Sequence, residues 1–245
     1  MSTLRIPEWL KTPVGVVVAT LAAIFLFALC APLWAEGLKD AKGPAAQAIP
    51  EAPVQPRSWS GVYVSAAGGY SNSNTEISAG PFSLDGISAH GTVYGLGAGA
   101  DYQFKGSALV GRLRGGYDWS NVEFSVNPGI FQAGFKEGWY GDVGLGIALG
   151  TAMPYLMVGM TEMQTQASIG GTAIPTPDLK GTRFTAGVEF RSPKIAGAMF
   201  QPTFALEATY IDYKDQTFGP VTFAPDETRV MGRVNRGFKA LGLGN

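Results

Sequence analysis

Cysteine and histidine are almost absent from this chain, with Cys30 and His90 as the single examples of each. One cysteine excludes a disulfide framework and a cysteine-based metal site. One histidine excludes a metal site built from several histidines. We therefore predict that the protein has no metal centre.

The chain also lacks an excess of charge of either sign. It has 18 Lys and Arg against 19 Asp and Glu, which gives a net charge of −1 at pH 7. Proteins that bind nucleic acid through its phosphates usually present a basic surface. We therefore expect no nucleic-acid partner.

Helical periodicity is the third absence. After Ala35 no segment repeats its apolar residues every 3.6 positions over several turns. An amphipathic helix needs that repeat. The sequence therefore predicts an all-β protein beyond the amino terminus.

The amino terminus is the longest apolar run. Arg5 and Lys11 precede it, and Val14–Leu29 contains no charged residue. Its length lies between the ~7–15 residues of a signal-peptide core and the ~20 of a spanning helix. The small residue Ala35 at a cleavage position favours a signal peptide over residues 1–35, with a retained anchor as the alternative. Both interpretations take the rest of the chain out of the cytoplasm.

Residues 36–57 contain four prolines among many alanines. A segment of this composition cannot bury a core, and we interpret it as a disordered linker. The remaining chain then divides into a folded domain at 58–238 and a short C-terminal tail at 239–245.

The folded domain begins with a stretch that alternates with a period of two. In Trp59–Tyr70, Val62 and Val64 fall on one face, and Tyr63 and Ser65 fall on the other. Such alternation is typical of a β-strand. Seven further stretches alternate in the same way, the one at 155–163 less clearly than the others: 93–104, 109–119, 139–147, 155–163, 183–190, 203–210 and 229–238.

The connections between these stretches also alternate in length. Long gaps fall at about 73–91, 121–136, 165–180 and 214–226, and shorter ones at about 104–107, 149–153 and 191–199. Long loops at one end and tight turns at the other are typical of an up-and-down transmembrane β-barrel, and an even strand number closes the sheet. A soluble β-sandwich or lipocalin-like barrel is the alternative. The aromatic strand ends and the small residues of the polar face favour the eight-stranded antiparallel transmembrane barrel.

Short motifs carry a resemblance to a known family. They are Trp59–Val64 with Gly69 and Tyr70, Ala186–Phe190, Ala205–Tyr210 and Val230–Phe238. Together they resemble the OmpA-like β-barrels, or "porin family" surface antigens, of α-proteobacteria. The resemblance implies an outer-membrane barrel whose last strand is recognised by the assembly machinery. The chain departs from the family pattern where Arg236 replaces an aromatic residue and where Lys239–Asn245 follows Phe238.

The inward face of this barrel would carry five acidic and five basic residues. They are Asp101, Arg112, Arg114, Asp118, Asp142, Arg183, Glu189, Glu207, Arg229 and Arg233. Eight strands leave an interior barely wide enough for side chains, so these charges must pair with one another. We predict an ion-pair network that closes the lumen, with a narrow polar path for ions as the alternative.

We predict no catalytic residue. Lipid-modifying barrels use a histidine base beside a serine nucleophile, and His90 has no nucleophile at a recognisable spacing. The family's haem binders suggest a second hypothesis, in which His90 ligates haem near Phe82, Leu84 and Ile87. Otherwise we expect no cofactor.

These observations predict a monomeric or weakly associating outer-membrane protein with a structural and surface-interaction role. Its expected partners are outer-membrane lipid and lipopolysaccharide, the assembly machinery, and surface ligands held by the long loops. The alternative functions are a narrow porin for ions or small solutes and a haem-binding surface protein.

Overall fold

The structure, a computed structural model, describes residues 58–79, 82–126, 131–191, 202–218 and 221–238. The predicted signal peptide, linker and C-terminal tail lie outside these ranges. No helix in the described residues is long and apolar enough to cross a bilayer. The described strands are β1 (Gly61–Ala79), β2 (Phe82–Gln103), β3 (Leu109–Val126), β4 (Phe131–Ile147), β5 (Ala152–Ile169), β6 (Thr172–Ile174), β7 (Leu179–Arg191), β8 (Pro202–Tyr213), β9 (Gln216–Phe218) and β10 (Val221–Phe238).

Eight of these strands form a closed antiparallel barrel in the order β1-β2-β3-β4-β5-β7-β8-β10, and β10 pairs with β1. If the register is followed from Tyr63 across all eight strands, it returns to β1 at Ser73, ten residues further along the chain. A stagger of this kind tilts the strands by ~35–45° from the barrel axis. The predicted all-β, eight-stranded up-and-down barrel is confirmed.

The two faces of the barrel wall differ as the alternation predicts. Large apolar side chains point outward and are exposed, with Leu96, Leu113 and Leu156 at 57%, 62% and 61%. The polar residues between them point inward and are buried. The outward positions Ala186, Val188 and Ala208 are exceptions, because all three are buried.

Exposed aromatic residues lie at two heights on the outer surface. Tyr70, Tyr94 and Trp139 lie near one end of the apolar band, and Tyr102 and Phe238 lie near the other. On β2 the two tyrosines are eight residues apart, which corresponds to ~20 Å along the barrel axis for a strand tilted by ~40°. This height is close to the ~25 Å apolar band of a transmembrane barrel.

The predicted long loops are largely strand instead. β1 runs to Ala79 and β2 begins at Phe82, so most of 73–91 is a paired hairpin. The gaps predicted at 121–136, 165–180 and 214–226 are likewise largely occupied by strand or by the short strands β6 and β9. Pairing satisfies the backbone N–H and C=O groups of these polar segments without requiring an apolar face. The strands predicted from apolar alternation are therefore shorter at this end of the barrel than the observed strands.

The opposite end has the predicted tight turns. Gly106 has φ 70° between β2 and β3, and Gly150 has φ 68° between β4 and β5. These left-handed conformations suit glycine, which has no Cβ to clash. Most of the connection predicted at 191–199 lies outside the described residues.

The strands beyond Tyr70 and Tyr94 divide into two walls. Pairing between β2 and β3 ends at His90 and Glu123, whereas β1 stays paired with both β2 and β10 as far as Ala79. One wall therefore consists of β9, β10, β1 and β2. The other consists of β3, β4, β5 and β6. We call the second set wall B below.

Candidate functional site

The structure places all ten predicted lumen charges inside the barrel. Their exposed fractions range from 0% for Arg229 to 8% for Asp101. The alternation of each strand turns them inward, and the tilt of the strands sets their heights. A charge buried this deeply is tolerated only when it is paired and hydrogen-bonded.

The cluster nearest the tight turns centres on Arg112. Its Nε and Nη2 donate to the two carboxylate oxygens of Asp101 at 2.9 and 3.1 Å. Nη2 also contacts Glu189 Oε2 at 2.6 Å across the barrel. The Thr203 hydroxyl donates to the other oxygen of Glu189. One arginine thus joins carboxylates from β2 and β7.

The middle of the lumen centres on Glu207. Its Oε1 accepts hydrogen bonds from Arg114 Nη1 at 2.5 Å, the Tyr155 hydroxyl at 2.6 Å and Arg233 Nε at 3.0 Å. Its Oε2 accepts from Arg233 Nη2 at 3.1 Å. Arg114 also donates to Asp142 at 2.8 Å. Glu207 therefore bridges two guanidinium groups, and Asp142 supplies a second negative charge to Arg114.

The third cluster lies toward the two walls. Asp118 accepts hydrogen bonds from Arg229 at 2.8 Å and from Arg183 at 3.3 Å. Arg229 is bidentate on Glu227, at 2.7 and 2.9 Å. Glu227 also accepts from the hydroxyl of Tyr213 at 2.7 Å.

Sequence reasoning missed Glu227, which is fully buried. The last predicted strand begins at 229 and the gap before it is predicted at about 214–226, so Glu227 fell between the two. In the structure β10 begins at Val221 and Glu227 shares the inward face of Arg229. Extending the alternation two residues toward the amino terminus would have found it. The described lumen therefore holds six buried acidic residues and five arginines.

Tyrosines complete the network, for which only charged residues were predicted. The Arg112 guanidinium lies 4.2 Å from the centre of the Tyr155 ring, and that of Arg183 lies 4.2 Å from the centre of Tyr140. Glycines make room for these rings: a Cβ on Gly187 would meet the Tyr155 hydroxyl at 2.6 Å. Inward glycines thus make room for the tyrosine rings of the network.

An apolar layer lies beside the network on the side of the walls, and all eight barrel strands contribute to it. The layer is formed by Ala67, Val93, Val122, Phe135, Met163, Leu179, Ile211, Tyr213 and Met231 with Ala89 at its margin. Every barrel strand contributes a side chain to the layer, but on β1 and β10 Ser71 and Glu227 lie beyond Ala67 and Met231 on the side of the walls.

A second apolar cluster closes the end with the tight turns. Trp59, Val110 and Met153 are buried together there. The Arg191 guanidinium lies 3.7 Å from the centre of the Trp59 ring, and the Trp59 backbone N–H donates to Gln103 at 2.9 Å. Apolar clusters therefore border the ion pairs at both ends of the lumen.

His90 lies on strand β2 rather than in the predicted loop. Its side chain is exposed and stacks on Tyr70, with 6.2 Å between ring centres. The side chains of Phe82, Leu84 and Ile87, named with it in the haem hypothesis, lie outside the described residues. Among the described residues, no group of three or more His, Cys, Asp or Glu is arranged to hold a metal ion.

A scan against protein-family models found no match. A search of curated protein sequences also found none.

Several solved structures are similar. Neisserial surface protein A is 14% identical, with a TM-score of 0.45, and the match covers 72% of this chain and 97% of that one. Ail, the attachment invasion locus protein of Yersinia pestis, solved with the heparin analogue sucrose octasulfate, is 15% identical (TM-score 0.38; 72% and 99% covered). The outer membrane enzyme PagL is 13% identical (TM-score 0.33; 69% and 99% covered).

The chain is an eight-stranded transmembrane-type barrel. Its closed sheet, exposed apolar band and buried polar interior establish this. Sequence identities this low support no statement about an activity of this chain. The resemblance to OmpA-like proteins rests on the short motifs alone.

Proposed function

We propose that this protein is an outer-membrane barrel with a structural and surface-interaction role. In this proposal the sealed barrel is an anchor, and the two β-walls beyond it present the contact surface outside the cell. The observation that carries the proposal is the lumen, which paired charges fill and apolar clusters border at both ends.

The lumen supports an anchor better than a channel. Conduction needs a hydrated path along which an ion exchanges one set of partners for another. Here each of the five lumen arginines contacts carboxylates of the same interior, and apolar clusters border the network at both ends. An ion would have to break buried pairs, each break leaving an uncompensated charge that costs about 3–5 kcal/mol.

The first prediction is that the protein does not conduct. Purified protein inserted into planar lipid bilayers should give little or no single-channel current, because the ion pairs and the apolar layers exclude a continuous water path. A porin added to the same bilayer is the positive control. Stable openings on the nanosiemens scale would contradict the proposal and favour the narrow porin.

The second prediction concerns location. The predicted export signal and the exposed apolar band support insertion into the outer membrane, with lipid, lipopolysaccharide and the assembly machinery as partners. We expect the protein in the outer-membrane fraction, folded in SDS until boiled and then shifted in gel mobility. A soluble periplasmic protein of the same cells is the control. Recovery from the aqueous periplasm without detergent would be the opposite outcome.

The non-enzymatic character of the protein and the absence of a cofactor stay predictions. His90 is the one histidine of the chain, and its exposed position on the outer surface beside Tyr70 gives the haem hypothesis no support from the described residues.

A further inference from the structure

Wall B contains a small cavity whose lining is polar. Its lining residues include two glutamines, two hydroxyl residues and one residue of each charge: Gln132, Gln166, Ser168, Thr176, Glu123 and Lys136. Cross-strand pairing of Gln132 with Ser168, and of Gly134 with Gln166, places both glutamines on the same face of β4 and β5.

The chemistry of this lining indicates an uncharged ligand. One carboxylate and one ammonium group cancel, so the cavity offers no net charge to a phosphate or to a divalent cation. Each glutamine amide and the Ser168 hydroxyl can both donate and accept hydrogen bonds, and the Thr176 hydroxyl, which donates to the Thr165 carbonyl, can accept one. A ligand with several hydroxyl groups, each a donor and an acceptor, matches this set.

The size of the cavity limits the ligand to one ring. Its volume is about 250 Å³, below the ~300 Å³ at which pockets for drug-sized ligands begin. Ala173 also lines the cavity, and its pairing with Ser168 places its small side chain on the same face as the two glutamines. It leaves room for the apolar face of a pyranose ring while the polar groups reach its hydroxyls.

The cavity lies beyond the aromatic residues of the outer surface. Along the barrel axis, the cavity residues Glu123 on β3 and Gln132 on β4 lie further from the middle of the barrel than Trp119 and Trp139 do. Aromatic residues of this kind mark the edge of the apolar band. The cavity therefore lies at or above the level of the lipid head groups.

The hydroxyl groups around the cavity are partly ordered by the chain itself. Thr176 donates to the backbone carbonyl of Thr165 at 2.7 Å, and the Thr165 hydroxyl donates to the carbonyl of Pro177 at 2.8 Å. These bonds fix the segment after β6 beside β5. The cavity is therefore largely formed before any ligand arrives, which lowers the entropic cost of binding.

We propose that this cavity binds a single uncharged sugar residue of a cell-surface glycan. The inference rests on the proposed function, in which wall B faces out of the cell. The sugar belongs either to lipopolysaccharide of the same membrane or to a glycan on another surface, and the two sources share the chemistry described above.

The test compares Gln166→Ala and Gln132→Ala with Gln164→Ala. Gln164 is an exposed glutamine of β5, the strand of Gln166, and it does not line the cavity. Its replacement therefore controls for the loss of a glutamine side chain outside the cavity. Full-length protein in lipid nanodiscs is titrated with lipopolysaccharide carrying a complete sugar core, with lipid A lacking those sugars, and with an array of neutral oligosaccharides.

We expect each cavity variant to bind the sugar-bearing probe about 10-fold more weakly, which corresponds to the loss of one or two neutral hydrogen bonds. The Gln164→Ala control should bind like the wild type. Binding to the complete core, but not to the array, assigns the sugar to the same membrane, and the reverse assigns it to another surface. The proposal is overturned if lipid A binds as tightly as the complete core, or if all three variants lose the same affinity. It is also overturned if no sugar probe binds.

A separate measurement distinguishes failure of this proposal from failure of the proposed function. Gln164→Cys should react with a membrane-impermeant maleimide on intact cells if wall B faces outward. Labelling without sugar binding rejects the glycan site alone. Absence of labelling rejects the orientation, and with it both proposals.

Discussion

Replacing Glu207 with glutamine is expected to lower the free energy of unfolding by about 3–5 kcal/mol, the cost of breaking a buried ion pair by removing one partner. Glu207 is 1% exposed and is the shared carboxylate of Arg114 and Arg233. Glutamine preserves the shape and one acceptor oxygen but not the charge. The two guanidinium groups would then share Asp142 as their remaining nearby counter-charge.

The measurement is urea unfolding of the barrel in lipid vesicles, followed by tryptophan fluorescence and by gel mobility. Glu162→Gln is the matched control. Glu162 lies on the outer surface, where it contacts Lys180 at 3.6 Å and accepts from the Trp139 indole at 3.2 Å. An exposed pair of this kind contributes about 0–1 kcal/mol. Equal losses in the two variants would show that the interior network is not a buried ion-pair system.

Replacing Leu113 with arginine is expected to destabilise the membrane-inserted protein by about 2–4 kcal/mol, the cost of an arginine on the lipid face near the bilayer midplane. Leu113 is 62% exposed on the outside of β3. If lipid surrounds this position, the guanidinium loses its hydration. If water surrounds it, the same change has almost no cost. The substitution thus separates a transmembrane barrel from a soluble one with the same strands.

Asn72→Arg is the control for Leu113→Arg. Asn72 is exposed on β1, two residues beyond Tyr70 and outside the apolar band. An arginine near the interface costs about 0–1 kcal/mol. Both variants are measured by urea unfolding in phosphatidylcholine vesicles. A loss for Leu113→Arg no greater than that for Asn72→Arg would mean that the apolar face does not contact lipid.

The sequence was sufficient for the strands that cross the apolar band. In Trp59–Tyr70 the alternation of Val62 and Val64 with Tyr63 and Ser65 reproduces the outward and inward sides seen in the barrel. The same alternation selected ten charges that the structure places in the lumen. It worked there because lipid and lumen impose opposite polarity on neighbouring residues.

The sequence was insufficient beyond the apolar band. The end of β1 at Ala79, the strand segment of β10 before Arg229 and the small strands β6 and β9 have no lipid-facing side. Their side chains therefore show no sustained apolar alternation, although their backbones pair. Glu227 was missed for this reason, and so was the polar cavity between Gln132 and Gln166.

The amino-acid sequence alone determined which side of the barrel wall each residue of the apolar band faces. Side chains of a strand alternate with a period of two, and here apolar residues alternate with polar or small ones. The tertiary structure decided which charges meet. Arg183 on β7 contacts Asp118 on β3, 65 positions away, and Arg112 contacts Glu189, 77 positions away. Such pairs depend on the height of each side chain in a closed and staggered barrel, and the stagger exists only when all eight strands have joined.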